Sequence, residues 1–342
     1  GQTETAVASL PLLRKLGEVL RSADWKVTAI LDTDFLGQDG KVADGAARVL
    51  DVLPGDCSAR LFGAALDIGT TSSVVYLVNL VSGEVVSRAV DYNGQITRGE
   101  DVISRIIYAG KNGGLAELQE LVLQTFNRLL AQAAQRAHIQ PGEIYKAAVA
   151  GNSTMIHLFL GLPPQSIRLS PFVTTVNRPP RIQAAELGLN IHPQAAVDCL
   201  EGVAGYVGAD ISAGAVSAGL LEADALTLFL DVGTNGEMVL GNRDWLLACA
   251  CSAGPAFEGA GVEHGMRATT GAIEEVWING TTYEPTYRVI GGGPPAGICG
   301  SGLIALVAEL IITGVVDRAG RINQALPTAR VREGEHGAEY VL

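Results

Sequence analysis

Two short stretches of the chain hold side chains suited to gripping a polyphosphate. Asp67, Gly69, Thr70 and Thr71 lie within LDIGTTS, and Asp231, Gly233, Thr234 and Asn235 lie within LDVGTNG, the two aspartates 164 residues apart. In each stretch a glycine lets the backbone come close to an anion, and the residues after it offer amides together with hydroxyl or carboxamide groups. A carboxylate repels phosphate, so Asp67 and Asp231 are read as holding Mg through water, with the cation bridging phosphate oxygens. Glu237, two residues beyond Asn235, is a candidate for orienting an attacking water. The candidate catalytic residues are therefore Asp67, Asp231 and Glu237, and the full set from Asp67 to Thr71 and from Asp231 to Asn235 is expected to bind a nucleotide.

The surrounding pattern says what must position these groups. FGAALDIGTTSSVVYLVNL, residues 62–80, and LTLFLDVGTNGEMVLGN, residues 226–242, each read as an apolar strand, a tight turn and a second strand. Asp, Gly and Thr favour turns for conformational reasons alone. The same strand before both turns and the same group after both glycines point instead to a duplicated nucleotide-clamping fold. EVVSRAV follows as a third strand, with Ser82 and Gly83 as its turn. Three antiparallel strands with a loop between the first two match half of a ribonuclease-H-like sheet.

Residues 115–137 place Leu115, Leu118, Leu121, Val122, Phe126, Leu129 and Leu130 on one helical face, ended by Pro141 and Gly142. KAAVAGNSTMIHLFLG then reads as strand, turn and short helix. Residues 205–221 read as a helix whose small residues admit a close neighbour, either as plain core packing or at the junction of the two halves. A small α/β unit precedes all of this, with a helix over residues 10–20, a strand from Lys26 to Leu31 and the turn LPGDCS. The strings GxxxxGK[ST] and strand-borne GxGxxG are absent, which excludes P-loop and Rossmann sites.

Composition narrows the function classes further. The 342 residues carry a net charge of −12, 48% hydrophobic and 5% aromatic residues. Such an acidic chain has no nonspecific hold on nucleic acid. No apolar run is long enough to span a bilayer, and the first residues do not resemble a secretion signal. Cys57, Cys199, Cys249, Cys251 and Cys299 are odd in number and lack a CxxC pair, as expected of reduced thiols in the cytoplasm. Cys249 and Cys251 read as structural thiols, and His157 as a packed histidine. His264, near Glu258, Glu263 and Arg267, reads as loop architecture or a partner contact. The GGGPPAGICGSG segment, residues 291–302, is either a close-packed turn or a phosphate cradle. Arg98, Glu100, Asp101 and Arg105 form either a solvated helix start or the border of a cleft or partner site.

Taken together, LDIGTTSSVVYLV, ITRGEDVISRI, AGNSTMIHLFLG, LDVGTNGEMVLG, AGPAFEGAGVEHGMRATTGAI and GICGSGLIALVAELI resemble the acetate and sugar kinase, heat-shock 70, actin (ASKHA) superfamily. Within it the chain is similar to the reductive activators of corrinoid enzymes, ATP-dependent metallo-activases of the RamA and RACo type. The resemblance implies an α/β chain: residues 1–60 as a small α/β middle domain, and residues 61–342 as an ASKHA ATPase domain with halves 61–222 and 223–342. It implies ATP and Mg as cofactors, with Mg-ATP held between the halves, and an anaerobic role in returning a corrinoid protein from Co(II) to Co(I). The implied partners are that corrinoid protein, either corrinoid iron-sulfur or methyltransferase-associated, a low-potential electron donor and a second copy of the chain. Such activators carry a [2Fe-2S] cluster in an amino-terminal domain. The cysteine spacing for such a cluster is absent here, so the cluster is expected only in the full-length protein. The carboxyl end stops where the family continues with a further helix and an adenosine loop, so the chain reads as a fragment. Small-molecule kinases and ATP-switched binding proteins share the two hairpins and stand as alternatives.

Overall fold

The structure, a computed structural model, describes residues 5–33, 46–233, 235–252, 256, 261–335 and 337–342. It comprises two compact units, residues 1–225 with 242–244, and residues 226–241 with 245–342.

The first unit begins with β1 (Thr5–Ala8), α1 (Leu10–Ser22), β2 (Val27–Asp32) and β3 (Ala46–Pro54), the strands forming a sheet in the order β1-β3-β2. Ser9 caps α1 by accepting from the Leu12 amide at 3.4 Å, and a proline occupies the first turn, where its missing N–H costs nothing. Leu12 then drops into the space above β3, which contributes Ala47, Leu50 and Val52 to the interior.

Next come β4 (Phe62–Ile68), β5 (Ser72–Asn79), β6 (Val85–Tyr92), α2 (Val102–Ala109), α3 (Gly114–Arg136), β7 (Ile144–Gly151), α4 (Ser153–Leu160), β8 (Ile182–Gln183), α5 (Ala184–Leu187), β9 (Ala196–Cys199) and α6 (Ala209–Ser217). The strands make one sheet in the order β6-β5-β4-β7-β9-β8. β4, β5 and β6 are antiparallel neighbours, while β7 runs parallel to β4 and β9 parallel to β7. This is the ribonuclease-H-like arrangement expected from the three-strand pattern. α3 covers one face with Leu118, Val122, Phe126, Leu129, Leu130, Ala133 and Ala134, against Leu66, Ile68, Val75 and Leu77 of the sheet. Each large side chain so buried contributes about 1.5–3 kcal/mol. Phe126 meets Phe159 of α4 edge to face at 6.2 Å.

β7 ties the leading strands to this sheet. At its amino end the Tyr145 hydroxyl donates to Asp51 Oδ2 at 3.1 Å, while Lys15 takes Oδ1 at 2.5 Å and Ile30 and Leu50 pack on the Tyr145 ring. The next residue, Lys146, pairs with Asp198 at 3.2 Å. Arg181 grips Asp198 through two nitrogens, at 2.9 and 3.2 Å, and reaches Asp32 of β2 at 3.5 Å. Burial favours the neutral Asp198 carboxyl, but Arg181 and Lys146 outweigh it and hold the carboxyl below its usual range.

One expected element is shorter than its sequence pattern. The helix read over residues 205–221 forms only at Ala209–Ser217. Gly205 and Gly208 lie before it: a Cβ on Gly205 would stand 2.7 Å from the Phe172 carbonyl oxygen, and one on Gly208 would stand 2.5 Å from Asn152 Cα. Those glycines serve a loop pressed against its neighbours, not a helix face.

In the second unit β10 (Thr227–Val232), β11 (Asn235–Asn242) and β12 (Trp245–Ser252) make a sheet in that order, beginning with the antiparallel pair β10 and β11. β13 (Ala272–Ile278), β14 (Pro285–Val289) and β15 (Gly297–Ile298) make another, on which α7 (Gly300–Ile312) packs; β16 (Val331–Gly334) and β17 (Gly337–Tyr340) form a hairpin. A Cβ on Gly302 would stand 2.2 Å from the Ile273 carbonyl oxygen, and one on Gly297 would stand 2.4 Å from that of His264. Close packing therefore accounts for Gly297 and Gly302, whereas Gly292 and Gly293 face open space at φ +73° and +89° and serve the turn by their backbone conformation. Among the described residues no helix is long and apolar enough to cross a membrane.

Candidate functional site

β4 and β5 leave only Gly69, Thr70 and Thr71 to turn the chain. A Cβ on Gly69 would meet the Ser72 carbonyl oxygen at 2.3 Å, so no other residue fits this turn. The three carbonyls of the turn are all tied inward. Gly69 O accepts from Asn93 Nδ2 at 2.9 Å, Thr70 O from the Arg105 guanidinium, and Thr71 O from the Asn93 amide at 2.9 Å. In a planar trans peptide the C=O and the following N–H point opposite ways. Anchoring these carbonyls therefore aims the amides of Thr70, Thr71 and Ser72 to the other side, as an anion-binding nest requires. Asn152 joins the loop from the carboxyl end of β7: its Nδ2 donates to Thr70 Oγ1 at 3.1 Å, while its Oδ1 caps α4 by accepting from the Met155 amide at 3.0 Å.

Behind the turn, Asn93, Gln95 and Arg105 have no exposed surface. Gln95 accepts from Arg105 at 3.3 Å and donates to the Leu118 carbonyl at 2.8 Å, closing the network onto α3. Arg105 departs from the solvated reading of its block. Arg98 pairs with Glu117 at 2.6 Å on the surface, Glu100 is exposed, and Asp101 caps α2 by accepting from the Ser104 amide at 2.7 Å. Arg105 alone turns into the core. Asn93, Gln95 and Asn152 were not singled out from sequence. The available signal was their place in two quoted neighbourhoods, directly before ITRGEDVISRI and inside AGNSTMIHLFLG.

Asp67 is exposed, on the sheet face opposite α3. It stands level with Val74 of β5 and Ala150 of β7; one pair lower on the same face are Ala65 and Ala148. The alanines keep that face low on the β7 side of the carboxylate, while Tyr76, opposite Ala65, stands exposed on the β5 side. The structure thus gathers Asp67, Gly69, Thr70 and Thr71 at one end of the sheet and adds Asn152.

The second hairpin repeats the strand geometry. Asp231, like Asp67, is the last residue but one of its strand. Its partner across the ladder is Glu237, 8% exposed, with Val232 facing Gly236 beyond them. Directly opposed residues hold their Cβ atoms roughly 5 Å apart, and two carboxylates there repel unless a cation or proton lies between them. Asp231 and Glu237 therefore suit a divalent cation and its water. Gly233 donates its amide to the Asn235 carbonyl at 2.8 Å, and a Cβ on it would come no nearer than 3.9 Å to any neighbour. Thr234 lies outside the described residues, as does Glu258.

The remaining candidates resolve plainly. His157 is buried, its Nδ1 bonded to the Ser153 carbonyl at 2.6 Å and its Nε2 accepting from the Thr175 amide at 2.9 Å. That fixes a neutral imidazole, and burial lowers its pKa. His264 is exposed, and its carbonyl accepts from the Ile298 amide at 2.9 Å. Cys249 and Cys251 are exposed free thiols. Among the described residues no three His, Cys, Asp or Glu side chains form a metal cluster.

Three family models match in succession: the RACo linker region over residues 2–59, the RACo middle region over 62–223, and the C-terminal ASKHA domain of RACo over 225–342. The chain is similar to a corrinoid activation enzyme, RamQ, of Eubacterium limosum, 39% identical over 276 residues, covering 80% of this chain and 46% of that protein. It is also similar to a [Co(II) methylated amine-specific corrinoid protein] reductase of Methanosarcina barkeri, 25% identical over 75% of this chain and 52% of that one. Among solved structures, a reductive activator for corrinoid, iron-sulfur protein superposes with a TM-score of 0.83 and 45% identity, over 98% of this chain and 52% of that one. The chain spans about half the length of these relatives.

Proposed function

The chain belongs to the RACo family, carrying its linker, middle and C-terminal ASKHA regions, and on that premise we propose that it is the ATPase part of a reductive activator of a corrinoid protein. ATP binding and hydrolysis drive the one-electron reduction of Co(II) to Co(I) in the partner, a corrinoid iron-sulfur or methyltransferase-associated protein. The observation that carries the reading is the first turn, whose three carbonyls are tied inward by buried donors. Tying them inward leaves amides to meet the phosphates.

In this reading Thr70, Thr71, Thr234 and Asn235 are phosphate-binding residues for ATP, and Gly69 and Gly233 make room for it. Asp67 and Asp231 hold Mg through water, and Glu237 orients the attacking water and accepts its proton. Mg, when bound, neutralises charge on the phosphate oxygens. The opposed carboxylates of Asp231 and Glu237 are a donor set that fits it. The cysteines of these 342 residues do not fit a [2Fe-2S] cluster. In the full-length protein such a cluster would be charged by a low-potential donor. The setting is cytoplasmic and anaerobic, with the protein acting as a homodimer. Raising an electron by ~59 mV costs about 1.4 kcal/mol, so nucleotide coupling of a few kcal/mol covers roughly 100–200 mV.

The test mixes the full-length protein, a low-potential reductant and a Co(II) corrinoid protein, and follows the cobalt absorbance with and without ATP. ATP-dependent appearance of Co(I), lost in Asp231→Ala with the fold intact, is the expected result. Unchanged turnover in that variant, or ATP consumed in proportion to a phosphorylated small molecule, counts against the proposal.

A further inference from the structure

We propose that Arg105 is a positioning residue for the nucleotide phosphates, acting through the backbone of the first turn without touching the ligand. The inference rests on the nucleotide-binding reading above. Burying a guanidinium is costly unless its donors are well used. Those of Arg105 go to the Gly99 carbonyl at 2.9 Å, Gln95 Oε1 at 3.3 Å, Met155 Sδ at 3.2 Å and the Thr70 carbonyl. The backbone makes way for the side chain: a Cβ on Gly99 would stand 3.0 Å from Arg105 Cγ and 2.5 Å from Ser104 Oγ.

The Thr70 carbonyl belongs to the same peptide group as the Thr71 amide. While Nη2 of Arg105 holds that oxygen inward, the amide faces outward; were the peptide to flip, a carbonyl oxygen would confront the phosphate. Asn93 fixes the peptides on either side in the same sense, from its side chain to Gly69 and from its amide to Thr71. Arg105 therefore locks the middle peptide of three. Its charge, fixed behind the turn, also adds to the positive potential an anion meets there.

The test titrates Mg-ATP into the full-length protein by calorimetry, for the wild type, Arg105→Gln, Arg105→Lys and Ile106→Ala, with a thermal melt of each. Ile106 is the buried neighbour on α2 and makes none of the turn's hydrogen bonds. Arg105→Gln should weaken ATP binding about tenfold or more, equivalent to about 1.4 kcal/mol. Arg105→Lys keeps the charge but not the fork, and should recover part of the loss. Ile106→Ala should lower the melting temperature and leave the dissociation constant unchanged. Wild-type affinity in Arg105→Gln overturns the proposal, as does a loss in Ile106→Ala that tracks its stability. If Arg105→Gln does not fold, Arg105→Lys carries the comparison, and wild-type affinity there overturns it equally. A wild type that fails to bind Mg-ATP refutes the nucleotide reading itself, and is recognised because no variant is then needed.

Discussion

Replacing Asn152 separates two jobs done by one carboxamide. Its oxygen caps α4 at the Met155 amide and its nitrogen donates to the Thr70 hydroxyl. Asn152→Ala loses both, about 1 kcal/mol for the cap and about 1 kcal/mol for a bond to a hydroxyl that stays buried, so roughly 2 kcal/mol in all. Asn152→Asp keeps the cap, and its charge is favourable at a helix amino end. Its stability should lie within about 0.5 kcal/mol of the wild type. It cannot donate, however, and it brings a negative charge to the turn. For a phosphate bound within roughly 8 Å, at an effective dielectric near 20, one added charge costs about 2 kcal/mol, roughly thirtyfold in affinity. Chemical denaturation and Mg-ATP titration on the same samples read the two effects separately. The expected pattern is crossed, with the alanine variant less stable and the aspartate variant weaker in binding by the larger factor. Wild-type affinity in Asn152→Asp, or affinity that merely follows stability in both, refutes the placement of Asn152 at the phosphates.

Gly69→Ala forces a methyl to within 2.3 Å of the Ser72 carbonyl oxygen; the turn must open, at a cost of about 1–3 kcal/mol, and a denaturation midpoint equal to the wild type's would contradict this. Thiol titration of the native protein should find Cys249 and Cys251 quickly, whereas Cys199, whose thiol burial pushes up to about 12, and buried Cys299 should react only after unfolding. Burial holds the His157 pKa below the ordinary value against the pull of its Ser153 bond. The unfolded chain therefore takes up the proton first as pH falls, and this contribution is complete above about pH 6.5 and lost as pH drops through the folded value. His157→Gln should flatten part of the fall in unfolding midpoint between about pH 7 and about pH 5. His192 contributes in the same direction, lowered mainly by burial and further by Lys15 against the pull of Asp51.

The strand-turn-strand pattern around Asp67 was legible because alternation and turn chemistry are local, and it returned as β4 and β5 with Asp67 and Val74 in register. The apolar stripe of α3 was equally plain. Arg105 was not legible, since its acceptors are mostly backbone oxygens and a sulfur brought near by the fold, and a charged residue on an amphipathic stretch reads as solvated. Asn93 and Gln95 failed for the same reason: their composition says turn, and only the tertiary fold turns their side chains inward. The start of α6 misled differently, because glycine is equally suited to close helix packing and to a pressed loop. Asp231 opposite Glu237 depends on the register that pairs Val232 with Gly236, and a slip of one residue would have set Asp231 against Gly236 instead.

β7 touches the two ends of one mechanical problem. Its eight residues span about 26 Å at roughly 3.3 Å per residue, a length that neither stretches nor shortens. Ladders on both sides brace it against bending. Tyr145 and Lys146 anchor one tip to the leading strands and the ion pairs beside them, while Asn152, just past the other tip, is fastened to Thr70. The strand is a strut, hydrogen-bonded along both edges, with the phosphate-loop candidate fastened at one tip and the leading strands at the other.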